Sequence, residues 1–117
     1  MESLLPDTST EAPAATGLRY NLGKLRYDLL PPDALEALVK VFTVGAKKYA
    51  PRNWENGFNW MDCYASLQRH AAEWAKGIDH DEETGELHMA HVMWNAMAIT
   101  TFMLRGTGVD DRPKLVS

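Results

Sequence analysis

Apolar residues recur at helical spacing in three stretches of the chain, and the polar residues between them mark where each stretch stops. Leu35, Leu38, Val39 and Phe42 follow the i, i+3, i+4, i+7 pattern of one face of a helix. Asp33 stands where a cap is needed, and this first helix is expected to end near Lys47. The segment "KKYAPRNWENGFNW" then breaks the pattern at Pro51 and Gly57 and reads as an irregular loop. A second helix is predicted over about 61–76, with Tyr64, Leu67, Ala71, Trp74 and Ala75 on its core face and Gly77 as its terminator. The turn "IDHDEETG" leads to a third helix over about 86–104, stopped by Gly106 and Gly108. Before the first helix, "LRYNLGKLRYDLLPP" reads as an extended arm with a short hairpin around Asn21, Leu22 and Gly23. The pattern therefore predicts an all-α fold, a small bundle of three main helices with an extended N-terminal arm, completed by oligomerisation. Residues 1–17 read as a flexible tail, 18–106 as the helical domain and 107–117 as a polar C-terminal extension.

The third helix is unusual because nearly its whole circumference is apolar, from Leu87 and Met89 through Trp94 and Met97 to Phe102, Met103 and Leu104. Such a helix is expected to be buried on all sides. His and Asn interrupt it and charged flanks are lacking, which excludes a membrane span. The exceptions, His88, His91 and Asn95, fall within a stripe of about 60° on the helical wheel. Buried polar side chains need partners. One reading supplies them through a hydrogen-bond network between helices. The other supplies a metal ion.

The surroundings of that stripe keep the second reading open. The stretch from Arg69 to Asn95 holds all four histidines of the chain and six acidic residues, Glu73, Asp79, Asp81, Glu82, Glu83 and Glu86. His70 and Glu73, at i and i+3 on the second helix, can share a space with the stripe. Carboxylates and an amide suit Mg²⁺ or Mn²⁺, and imidazoles pull toward Mn²⁺ or Zn²⁺. The acidic turn is equally explained by attraction to the positive end of the third helix. An EF-hand is excluded, because with Asp79 as position 1 the glycine falls at position 7 and position 12 carries no glutamate. "HMAH" lacks the spacing and the glutamate of a zincin.

Composition narrows the partners. The 117 residues are 45% apolar and carry a formal charge of −4, enough for one core and contrary to polymeric nucleic acid or an anionic membrane as partner. Cys63 is the lone cysteine, so no intrachain disulfide forms and a reducing cytoplasm is expected. The first residues have neither the basic segment nor the apolar run of a signal peptide. Cations gather elsewhere, as Lys24 and Arg26 in the arm and Lys47, Lys48 and Arg52 after the first helix, with Tyr49, Asn53 and Trp54 among them. Ammonium and guanidinium groups hold phosphate oxygens, and flat rings with an amide suit a nucleobase. The plainer alternative is that the lysines complement the helix C-terminus and Trp54 fills core.

Together these blocks resemble a known family. "KxRxDLLPP", "GAKKYxxRNW", "RHxxxW" and "DxExGExHxxH", spread over about 19–105, are similar to the N-terminal domain of phage dATP/dGTP diphosphohydrolases, relatives of the MazG-like all-α nucleotide pyrophosphohydrolases. The resemblance implies an oligomeric helical bundle using Mg²⁺ or Mn²⁺ to split a purine deoxynucleoside triphosphate into monophosphate and pyrophosphate, in the cytoplasm of a host cell. On that basis Glu73, His88, His91 and Asn95 are the expected metal-facing set, with Asp79, Asp81 and Glu86 as further ligands. Glu73, His70 and His91 are the expected catalytic groups. Lys24, Arg26, Lys47, Lys48 and Arg52 are expected on the phosphates of a purine nucleotide, with Tyr49, Asn53 and Trp54 near the base. One departure matters: where MazG-like proteins place ExxE and ExxD, this chain has His70-x-x-Glu73 and His88-x-x-His91 with Asn95. A protein that binds and sequesters a cyclic or signalling nucleotide without cleaving it is the alternative.

Overall fold

A computed structural model of the chain describes residues 16–20 and 22–114. Three helices carry the fold: α1 over Pro32–Lys48, α2 over Trp60–Ala75 and α3 over His88–Arg105. Short 3₁₀ turns at Tyr27–Leu29 and Asn53–Asn56 precede and follow α1. Among the described residues there is no strand, only isolated bridges between Asn59 and Val109 and between His80 and Leu87. The all-α bundle expected from the pattern is therefore present.

The helix boundaries follow local chemistry. α1 begins two residues earlier than a cap at Asp33 would place it, at Pro32, where a missing N–H costs nothing and the fixed φ suits a helix. Asp33 is thus inside the helix, its carboxylate accepting from the Ala34 N–H at 2.9 Å. α2 closes in a Schellman motif: Gly77 takes a positive φ, its N–H donates to the Trp74 carbonyl, and the Ile78 N–H donates to the Glu73 carbonyl. α3 ends similarly at Gly106, with the Thr107 N–H reaching the Phe102 carbonyl. Its start lies later than expected, because Leu87 still pairs with His80 and the His88 N–H is taken by the Asp79 carbonyl at 2.8 Å.

The core is centred on Cys63, Ala98 and Phe102, with Trp54, Trp60 and Trp94 packed against it. Phe42 of α1, Trp54 of the loop and Trp94 and Phe102 of α3 interlock with ring centroids 5.8 to 6.0 Å apart, which binds α1 and the loop to α3. Two expectations need correction. α3 is not buried all round: Met93, Met103 and Leu104 face out, because α1 and α2 cover only two of its sides. Likewise Leu35 and Val39 of α1 and Tyr64 and Trp74 of α2 are exposed, and the buried positions are their neighbours Val41 and Cys63.

The first part of the expected C-terminal extension packs onto the start of α2. Trp60 and Val109 exchange a main-chain bond at 2.9 Å, the Val109 N–H donates to the Phe58 carbonyl, and the Trp60 ring N–H donates to the Thr107 carbonyl. Asp111 accepts from the Met61 N–H at 2.9 Å, supplying from fifty residues away the cap that Asn59 does not provide. The hairpin expected near residue 21 is not formed by Leu22 and Gly23, which make a turn, and Asn21 lies outside the described residues.

Candidate active site

The turn between α2 and α3 is built to present a carboxylate. Asp81 Oδ2 accepts from both the N–H and the hydroxyl of Thr84, at 2.9 and 2.8 Å, and Gly85, with φ +76, lets the chain close the turn onto the Asp81 carbonyl. The Asp81 N–H donates to the Glu86 carbonyl at 2.7 Å, so the turn is tied at both ends. Asp81 is thereby held facing two helices, α2 with His70 and α3 with His88 and His91.

The three imidazoles form one cluster around His70. The Nδ1 atoms of His70 and His88 lie 2.8 Å apart, a hydrogen bond in which one ring donates to the other. His70 and His91 stack in parallel with centroids 4.3 Å apart. Thr84 Oγ1 sits 2.8 Å from His91 Nε2, and since the hydroxyl already donates to Asp81, the imidazole is the donor. A relay therefore runs from His91 through Thr84 to Asp81. His70, Asp81 and His88 offer ligand atoms all within 4.8 Å of one another, and His88 is 5% exposed.

Electrostatics favour the uncharged form of His70 and of His91. Burial, and then the neighbouring His91, pushes His70 below the ordinary imidazole value, with His88 and Arg69 adding to the effect. Burial likewise lowers His91, against the pull of Asp81. Burial would raise Asp81, but the two Thr84 hydrogen bonds and the nearby imidazoles outweigh it and hold the carboxyl below its usual range. Neutral imidazoles beside an ionised carboxylate are the protonation states a cation requires. The unfolded chain takes up protons at the ordinary imidazole value of 6.5 while folded His70 and His91 resist, so stability is lost as pH falls below that value and stops falling at their depressed values. Thermal melts at about pH 7.5 and about pH 5.5 are expected to show a lower Tm at the acidic end, and His91→Gln is expected to flatten that difference.

Most of the candidate residues meet at one cleft of about 1800 Å³, which His70, Glu73, Asp81, His88, His91 and Asn95 line together with Lys47, Lys48, Tyr49, Arg52, Asn53 and Trp54. Within it, Glu73 pairs with Lys76 at 3.0 Å, outside the His–Asp cluster. Asn95, 5% exposed, spends its amide on the His91 carbonyl and Ser66 Oγ, tying α3 to α2. Trp54 sits in the aromatic cluster described above, and Tyr49 is exposed with Lys48 Nζ 5.3 Å from its ring centre. Lys48 also bonds Glu83 at 3.0 Å, fastening the end of α1 to the turn. Arg52 pairs with Glu55, which also receives Arg105 at 2.7 Å. Arg52 has a φ of +62, a left-handed conformation uncommon for a side-chain-bearing residue.

Four expected residues stand apart from the cleft. Asp79 and Glu86 contribute main-chain carbonyls to the turn, and their side chains do not line the cleft. Lys24 and Arg26 lie on the arm around a small separate hollow, with Arg26 clamped on Asp28 at 2.7 and 2.8 Å. Three participants were not singled out from the sequence: Thr84, Arg69 and Arg105. Thr84 was legible in principle, since an Asp-x-x-Thr spacing is a common local turn. Arg69 and Arg105 carry no such signal.

The comparisons with known proteins bear on the same blocks. A dATP/dGTP diphosphohydrolase of Salmonella phage PMBT28 is 33% identical over 97 residues, 83% of this chain and 33% of the relative. The chain thus spans about a third of that curated relative's length. No solved structure matches it. The family model described as dATP/dGTP diphosphohydrolase, N-terminal, matches residues 14–112, which contain the arm, all three helices, the Asp81 turn and the segment that returns to α2. The chain belongs to the dATP/dGTP diphosphohydrolase N-terminal family.

Proposed function

We propose that the chain is a metal-dependent nucleoside triphosphate diphosphohydrolase that converts a purine deoxynucleoside triphosphate to its monophosphate and pyrophosphate. The observation that carries this reading is the convergence of His70, Asp81 and His88 on one wall of a cleft whose rim carries Lys47, Arg52 and Arg69. The name of the phage relative supplies the substrate class.

The donor set fits a divalent cation. Two imidazole nitrogens and one carboxylate suit Mn²⁺ or a similar transition ion better than Mg²⁺, which prefers oxygen. Such an ion, when bound, supplies positive charge at the reacting phosphates and acidifies water. The chain's own residues do the rest. Lys47, Arg52 and Arg69 offset the charge of the triphosphate. Thr84 fixes the Asp81 carboxylate, and His91 fixes Thr84. Glu73, on the same wall and one helical turn from His70, accepts the proton as water oxygen bonds to phosphorus and the bridging P–O bond breaks, releasing pyrophosphate.

The test is incubation of the pure protein with dGTP, dATP and their ribonucleotide counterparts, with Mn²⁺, with Mg²⁺ and with chelator, resolving products by ion exchange. Monophosphate and pyrophosphate that require the cation are expected, with Mn²⁺ the more effective. A folded protein that binds these nucleotides and leaves them intact would transfer the reading to sequestration, which the paired state of Glu73 would then explain.

A further inference from the structure

The arm before α1 displays an apolar surface that the described residues leave uncovered. Leu18, Tyr20, Leu22, Leu25, Tyr27 and Leu29 are all between 70% and 97% exposed. Among the described residues, the arm's hydrogen bonds are internal: Arg26 to Asp28, Leu29 to Arg26 and Leu30 to Tyr27. Pro31, at φ −67 and ψ +132, holds the chain extended where the arm enters α1. The arm nevertheless lies within the stretch the family model matches, which begins at residue 14.

A matching apolar surface lies on the bundle. The Lys48–Glu83 bond joins the end of α1 to the turn before α3, so the two helices run antiparallel. Leu35 and Val39, early in α1, therefore lie toward the same end of the bundle as Met103 and Leu104, late in α3. All four are exposed, Leu104 at 83%. The interior is small by comparison: Val41, Cys63, Ala90, Ala98 and Phe102 are the buried apolar side chains among the described residues. Large apolar side chains exposed together in this way mark an interaction site.

We infer that residues 18–30 form an assembly arm that seats on the exposed end of α1 and α3 in a second copy of this chain, each copy giving an arm and receiving one. The area supports a second copy as the occupant. The six apolar side chains offer roughly 800 Å², about what each partner contributes to a stable interface. Mutual exchange also disposes of both patches with a single two-fold contact, leaving neither exposed. The inference is independent of the hydrolase reading, and its test uses no nucleotide.

The experiment uses the full chain in two single-site forms, Leu25→Cys and Leu104→Cys; native Cys63 is 4% exposed and serves as the shared background. Each is purified reduced, and they are oxidised separately, as a mixture, and as the double variant, then run on non-reducing gels. A covalent dimer that forms in the mixture well beyond either variant alone is expected. Sedimentation of the native chain at micromolar concentration is expected to give a dimer or larger, and Leu25→Asp/Leu29→Asp to give a monomer with unchanged helical circular dichroism. A monomeric native chain would overturn the inference. So would a dimer that survives the aspartate pair, which places the interface elsewhere, or a double variant that closes only within one chain, which places the arm on its own helices. If the aspartate variant fails to fold, the cross-linking result still decides between the two seats.

Discussion

Asp81→Asn and His88→Ala are each expected to reduce metal-dependent turnover of the preferred deoxynucleotide by about 100-fold or more, and to abolish the rise in Tm that Mn²⁺ gives the native chain. The two variants fail for different reasons, which is why both are needed. Asparagine keeps the size of Asp81 and can still accept from the Thr84 hydroxyl and N–H, so the turn persists while the ionised donor is lost. Alanine at 88 removes a nitrogen 2.8 Å from His70 and leaves a buried space, so some loss of stability accompanies the loss of the cation. Thr84→Val is the graded member of the series. It removes the hydroxyl that joins His91 to Asp81 while leaving every ligand atom in place. A loss of roughly 10- to 100-fold in metal affinity is expected. Calorimetric titration with Mn²⁺ separates these outcomes from any effect on nucleotide. If Mn²⁺ binds Asp81→Asn as it binds the native chain, the cation site lies elsewhere.

Gly108→Ala is expected to be the most damaging single substitution to the fold itself. A Cβ on Gly108 would lie 2.5 Å from the Phe58 carbonyl oxygen and 3.1 Å from the Trp60 ring nitrogen, and its φ of +71 disfavours any side chain. Relief requires that the 107–111 segment move off α2, which breaks the Val109 pairings and the Asp111 cap. The cost is about 3 kcal/mol or more, a large share of the stability of a domain of this size. The Tm is then expected to fall by roughly 10–20 °C, measured by calorimetry at neutral pH. Gly57→Ala reaches the same crossing from the other side, where a Cβ would meet the Gly108 main chain at 2.6 Å. Gly45→Ala is the control: it lies within α1, nothing stands within 4 Å of its added Cβ, and helix propensity favours the alanine. An alanine at 108 that melts with the native chain would mean the C-terminal segment does not hold the start of α2.

The number and class of the elements were legible because helix formation is local. Apolar spacing, Pro32, Gly77 and Gly106 act within a few residues, and each helix was placed to within two residues at either end. The His88–His91–Asn95 stripe was legible for the same reason, since one helix fixes the angles among its own side chains. What that stripe meets was not. Whether His88 faces His70, and whether Asp81 rather than Asp79 or Glu86 turns inward, depends on the angle at which α2 and α3 cross and on the path of the connecting turn. Neither is encoded at any single position.

The same division explains the corrections. A helical wheel states which residues share a face and is silent on how many neighbours are available to cover it. α3 has apolar residues all round because its sequence says so; Met103 and Leu104 are exposed because α1, α2 and the turn carrying Trp54, its packing partners among the described residues, leave that side open. The segment after Gly106 reads as a polar tail, yet two glycines allow two main chains to approach closely enough for Val109 and Asp111 to reach α2. By itself, then, the sequence determined two amphipathic helices and a third that is apolar nearly all round, their stops, and the residue types gathered between Arg69 and Asn95. Only the tertiary structure decided that His70, Asp81 and His88 share one point in space and that Lys24 and Arg26 do not, because side chains far apart in the chain are brought together by packing, and packing is a property of the assembled helices rather than of any one of them.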